Sequence, residues 1–158
     1  MEKKELENNL NETLAPIGFK KKGNFWVKND LSITKIVNLQ KSQFSNSFYI
    51  NYGYIINTLP LGNNMMHIFN GLSSIDNKEN ERIKELLNLE NKISSEQRTK
   101  ELKQIILKTL ILNFQLIQTE DDLLNELKKR SNLNDIPLIV KKHFGLPVVA
   151  DVSSVTNN

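Results

Sequence analysis

Two β-rich runs, residues 32–41 and 48–56, are joined by a polar loop containing Gln43-Phe44-Ser45-Asn46-Ser47, a linker of hairpin length rich in residues that tolerate tight turns. The two runs are expected to pair antiparallel. With Lys41 opposite Phe48, Leu39 meets Ile50 and Val37 meets Tyr52, which gathers the apolar side chains on one face. Asn38, Gln40, Tyr49 and Asn51 then share the other face. A register of opposite parity would mix the two sets, so the alternation predicts the pairing as well as the hairpin.

The flanking segments follow from the same reading of periodicity. Leu6, Leu10 and Leu14 recur every four residues among charged neighbours and predict a helix over residues 2–13 that ends before Pro16. Phe25-Trp26-Val27 reads as a short strand punctuated by Asn29-Asp30, and residues 65–72 as a further strand after a Pro60/Gly62 loop. From Asn77 the period becomes helical. Helices are expected over residues 81–89, over about 94–118 with Ser94 or Ser95 as cap, after Thr119 with its acidic first turn, and from Asp135 to Gly145. The expected fold is α+β: an N-terminal helix, an antiparallel sheet of about four strands, and three to four C-terminal helices packed on one sheet face. A chain of 158 residues has the size of one domain, expected over residues 1–150 with a flexible tail over 151–158.

Composition then removes chemistry. There are no cysteines and only two histidines, His67 and His143, so neither thiolate sites nor an imidazole-based zinc site of regular spacing is available. No metal or other cofactor is expected. Leu31 through Ile75 contains no Asp or Glu, which leaves no carboxylates on the central strands for a metal-dependent nuclease or an acid pair. The tripeptide Glu90-Asn91-Lys92 falls between predicted helices. The six glycines build no phosphate-cradling loop, and no serine sits in a nucleophile elbow. The net charge of +3 arises in residues 1–60, which carry 8 basic and 5 acidic groups, and is densest at Lys20-Lys21-Lys22. That cluster reads as a solvated turn or as a phosphate contact. No apolar leader opens the chain and no stretch of about 18 apolar residues occurs to span a bilayer, so a cytoplasmic protein without membrane contact is expected.

What remains is an uncharged hydrogen-bonding row, Asn38, Gln40 and Asn51 with Tyr49 beside them, whose amides each offer a donor and an acceptor. It reads either as the ordinary wet side of a half-buried sheet or as a recognition surface. Three blocks, LNETLAPIGFKKKGNFWVKN, ITKIVNLQKSQFSNSFYINYGYI and HIFNGLSSI, resemble the bacterial family called domain of unknown function 4304 over roughly residues 10–130. Gly18-Phe19, Asn38 through Ser42, and Ile50-Asn51 are the most specific elements. Where the family block around His67 is expected to carry a basic residue before the leucine, this chain has Asn70-Gly71-Leu72. The resemblance implies a small bacterial protein, with an immunity protein of a toxin system among the roles it allows.

The expected function is a non-enzymatic protein-binding module, an immunity protein that neutralises a cognate toxin through an exposed sheet face. The partner-binding residues would be Asn38, Gln40, Tyr49, Asn51 and His67. The first alternative is a single-stranded nucleic-acid-binding protein using Lys20–Lys22, Lys28, Lys35 and Lys41 for phosphates and sheet aromatics for stacking. The second is an enzyme with a site near His67 and Tyr49.

Overall fold

The computed structural model describes residues 2–148; the tail expected over 151–158 lies outside them. Helix α1, Lys3–Leu14, opens on a capping box between Glu2 and Glu5 and buries Leu6, Leu10 and Leu14, the stripe that the four-residue recurrence predicts. A 3-10 turn, Ala15–Ile17, and Gly18 at φ 99° redirect the chain into the sheet. A side chain there would be held in the left-handed region.

The sheet is a five-stranded antiparallel meander in chain order: β1 (Lys20–Lys22), β2 (Phe25–Asn29), β3 (Ile33–Lys41), β4 (Phe48–Ile56) and β5 (Ile68–Gly71). The β3–β4 register is the expected one, with Lys41 opposite Phe48, Leu39 opposite Ile50 and Val37 opposite Tyr52. The strand beyond the expected four is β1. Its three lysines show no alternation and read as a turn, yet they turn back at Gly23, φ 61°, and pair with Phe25–Val27. A lysine-rich strand suits a sheet edge because charge there discourages pairing with other chains. At the opposite edge β5 covers only four of the eight residues expected to be strand.

Helix α2 is Asn77–Leu87, beginning four residues earlier than expected because Asp76 accepts the Lys78 N–H and caps it. The long helix starts at Ser94, whose hydroxyl accepts the Gln97 N–H. It runs as α3, Ser95–Ile106, through a π-helical stretch, Leu107–Ile111, into α4, Leu112–Leu116. The Thr109 hydroxyl donates to the Ile105 carbonyl at 2.6 Å within that widened turn. Thr119 and Asp122 form a capping box on α5, Glu120–Lys128. Helix α6 is Leu138–Phe144, closed by Gly145 at φ 64°. Pro137 is its N-cap, and the helix does not reach back to Asp135, since Ile136, the residue before the proline, is disfavoured in helical geometry.

The helices bury one face of the sheet. One contiguous cluster joins Leu6, Leu10 and Leu14 to Trp26, Val37, Leu39, Ile50 and Ile56 on the strands and to Leu102, Leu110, Leu123 and Val140 on the helices. Phe114 sits at its centre, its ring 5.3 Å from Phe19, 5.8 Å from Tyr52 and 5.6 Å from Tyr54. Arg98 is fully buried and closes the end of α2. Its guanidinium donates to the Leu86 carbonyl, to Asn88 O at 3.1 Å and to Asn91 O at 2.9 Å. The negative end of the helix thus faces a cation. Among the described residues no helix is long and apolar enough to cross a membrane.

Candidate functional site

Strand alternation and the observed registers put Lys20, Lys22, Phe25, Val27, Asn38, Gln40, Tyr49, Asn51, Phe69 and Gly71 on the face away from the helices. The expected row therefore lies on one side of the sheet. Its amides are wired to each other: Asn51 Nδ2 donates to Asn38 Oδ1 at 3.2 Å and to Gln40 Oε1 at 2.9 Å, and Asn38 Nδ2 donates to the Asn24 carbonyl at 3.3 Å. Asn38 and Asn51 are each only 4% exposed. Within the row, Gln40 and Tyr49 form the surface and the two asparagines support it from beneath. The physical reason is crowding, because mid-sheet residues flanked by longer side chains lose their water and must pair among themselves.

Around these amides stand Tyr49 and Phe69, 53% and 46% exposed, with half-buried Phe25 and Val27 further in and exposed Lys20 and Lys22 at the β1 edge. Phe44 is almost fully exposed in the β3–β4 loop. No carboxylate lies on this face of the five strands, as the acid-free stretch implies.

His67 is placed elsewhere. It is 2% exposed, the Ile56 N–H donates to its Nδ1 at 2.9 Å, and its Nε2 lies 3.0 Å from the Pro60 carbonyl. An accepting Nδ1 carries no proton, so Nε2 is the donor. Both nitrogens hold backbone, and the ring extends the β4–β5 ladder where the strand itself has ended. The His67 N–H pairs with Tyr54 O, five residues along β4 from Tyr49, about 16 Å at strand rise. The two residues thus share no site.

The six lysines proposed for phosphate contact divide between the two faces. Lys21 lies over the Trp26 ring at 5.6 Å and donates to Gly23 O, while Lys35 is 1% exposed on the helix side. Lys35 Nζ donates to Gln118 Oε1 at 2.6 Å and stands 3.5 Å from Asp30 Oδ2. Burial lowers its pKa from the ordinary lysine value, and Asp30 partly restores it. Nothing in a lysine's position along the chain signals such a burial, because its partners Asp30 and Gln118 are set by the packed helices. Glu90-Asn91-Lys92 is a turn in which Asn91 Nδ2 donates to Glu85 O. Among the described residues no cluster of three or more His, Cys, Asp or Glu could hold a metal ion.

Continuous with the open face is a groove of about 470 Å³ between the β4 edge and α2, which the sequence reading did not find. Tyr49, Asn51 and Gly71 lie at its sheet side and Asn80, Lys84 and Leu87 on the helix side.

The model of the family described as Domain of unknown function (DUF4304) matches residues 10–113, a span that holds all five strands, α2, α3 and every groove residue. No curated protein and no solved structure matches the chain.

Proposed function

Because the chain belongs to the family described as Domain of unknown function (DUF4304), whose description assigns no activity, we propose from the geometry that it is a non-enzymatic bacterial protein-binding module. In this reading it is an immunity protein that engages a cognate toxin in the cytoplasm through its open sheet face. The observation that carries the proposal is the make-up of that face: exposed Gln40, Tyr49 and Phe69 over a buried amide pair, with no carboxylate on the strands. Aromatic area beside uncharged hydrogen-bonding groups is what the centre of a protein interface offers. The net charge of +3 favours a partner surface that is neutral or acidic, since like charges slow encounter. Co-expression with the product of the adjacent gene tests it. Co-purification, and restored growth where that product is toxic, is expected; absence of both discards the immunity reading.

A second reading, single-stranded nucleic-acid binding, is favoured by Lys20 and Lys22 sharing a face with Phe25, Tyr49 and Phe69. Salt-sensitive retention of a single-stranded oligonucleotide supports it, and no retention at low salt removes it.

A further inference from the structure

Strand β4 pairs with β3 along all nine of its residues, but on its other side β5 reaches only from Asn51 to Tyr54. The Leu72 N–H closes that side at Ile50 O, 2.8 Å away. At the far end Ser47 bridges to Asn88, and the Leu89 N–H donates to Asn46 O at 2.9 Å. Between these self-made closures the edge Phe48–Ile50 faces the groove against α2, a slot about 10 Å long at strand rise. Phe48, Ile50, Leu72 and Leu87 form the apolar part of its lining, polar side chains such as Asn51, Asn80 and Asn88 much of the rest, and among the described residues Lys84 is the one charged lining group. Lys84 Nζ is 3.2 Å from Glu81 in a pair about two-thirds exposed on both sides, which an incoming carboxylate can exchange at little cost.

We infer that this slot takes a short extended peptide segment of a partner protein, one medium-sized apolar side chain lying between Leu72 and Leu87 and an acidic residue beside it meeting Lys84. The inference rests on the protein-binding reading above and names the chemistry that the bound partner contributes. A long added strand is excluded, because the chain already pairs with itself at both ends of the slot. The volume lies in the range of pockets that bury small ligands, about 300–1,000 Å³, and suits one side chain with its flanking amides. Gly71 borders the groove, has no left-handed φ, and a Cβ built on it meets nothing within 4 Å. A side chain at Gly71 thus starts into open space at the border of the groove.

The test is an amide NMR titration of the full chain with two capped dipeptides, acetyl-Leu-Glu-amide and acetyl-Leu-Lys-amide, at millimolar concentration. Shifts concentrated at Phe48–Asn51 and Leu72–Ser73 are expected, with the glutamate probe bound about two- to fivefold more tightly, as an exposed ion pair allows. Gly71→Leu, checked for an unchanged or raised melting temperature, is expected to abolish the shifts. Lys84→Glu is expected to reverse the preference between probes. The inference is overturned by no shifts with either probe, by equal shifts in Gly71→Leu, or by slot signals that respond to protein dilution alone, which would assign the slot to a second copy of the chain. No natural partner is used, so failure here leaves the sheet-face reading standing, and failed partner capture leaves the slot result intact.

Discussion

At the scale of single residues, the β4–β5 junction depends on what is absent at Gly53. An added Cβ would lie 1.7 Å from the Ile68 carbonyl oxygen and 2.7 Å from Met66 Sδ, so alanine there must push two backbones apart. Gly53→Ala is expected to cost about 1–3 kcal/mol or more in urea unfolding; a change within about 0.5 kcal/mol, typical of an exposed site, would contradict the close approach. His67 works on the same junction. His67→Ala strips the buried Ile56 N–H of its acceptor, an expected loss of about 1–3 kcal/mol, and His67→Asn, which offers an oxygen near the place of Nδ1, should recover part of it. Tyr54 sets an alkaline limit. Burial raises the pKa of its phenol well above the ordinary 10.0, and the hydroxyl lies 2.5 Å from Asn113 Oδ1. With the folded pKa above the unfolded one, the contribution of Tyr54 is complete below pH 10.0. Above that pH the unfolded chain releases a proton that the native state keeps. Stability should therefore fall there by up to about 1.4 kcal/mol per pH unit for this group. Tyr54→Phe should be less stable than the parent at neutral pH yet show a shallower decline above pH 10.0, which chemical denaturation across pH would reveal.

Among the elements, α2 relies for its position on a side chain from another helix. Arg98 on α3 gathers the carbonyls at the end of α2, and the next residues tie that end to β4 through Leu89 and Asn46. Arg98→Met keeps the apolar stem and deletes the donors. It should cost about 3 kcal/mol and raise amide exchange at Leu89 more than at Leu102, whereas uniform exchange across the two helices would mean that Arg98 only fills space. None of this was legible in the chain, since an arginine in an amphipathic helix reads as a solvent-facing residue. The elements that were legible owe it to local pattern. Alternation in β3 and β4 specified the register at Lys41 and Phe48 because any odd shift exposes a full apolar set, and Ser94 and Thr119 were readable as caps because their oxygens serve N–H groups two or three residues away. Lys20–Lys22 became a strand only by pairing across Gly23, and the amides of Asn38 and Asn51 turned inward only because their neighbours across the sheet crowd out water. The row's membership was visible in the sequence, but its burial and the groove beside it depend on where β5 stops and α2 lies.

For the whole molecule, what separates the two functional readings is how charge and aromatic area divide across one face. Acid-free strands place Tyr49 and Phe69 on the β4–β5 side and leave Lys20 and Lys22 at the β1 edge, the width of three strands away, about 14 Å at usual strand spacing. A protein partner seated over Gln40 draws its energy from the aromatic side, where a few well-packed side chains carry most of the binding. A nucleic acid must use the lysines, since phosphate contacts supply most of its affinity. Two double variants, both at exposed positions and so expected to leave the fold intact, divide these outcomes. Under the protein-binding reading Tyr49→Ala/Phe69→Ala weakens capture of the adjacent-gene product by about 30-fold or more, equivalent to at least 2 kcal/mol. Lys20→Gln/Lys22→Gln changes it by less than about fivefold, as two rim charges should. The measurement is a titration of each variant against the same partner at two salt concentrations. If the lysine pair carries the larger loss, and that loss shrinks at high salt, the contact is an electrostatic one at the β1 edge and the reading that centres it on Tyr49 and Phe69 fails. If the aromatic pair carries it with little salt dependence, the uncharged side of the sheet is the contact, and the slot beside Tyr49 is where the partner's chain would enter.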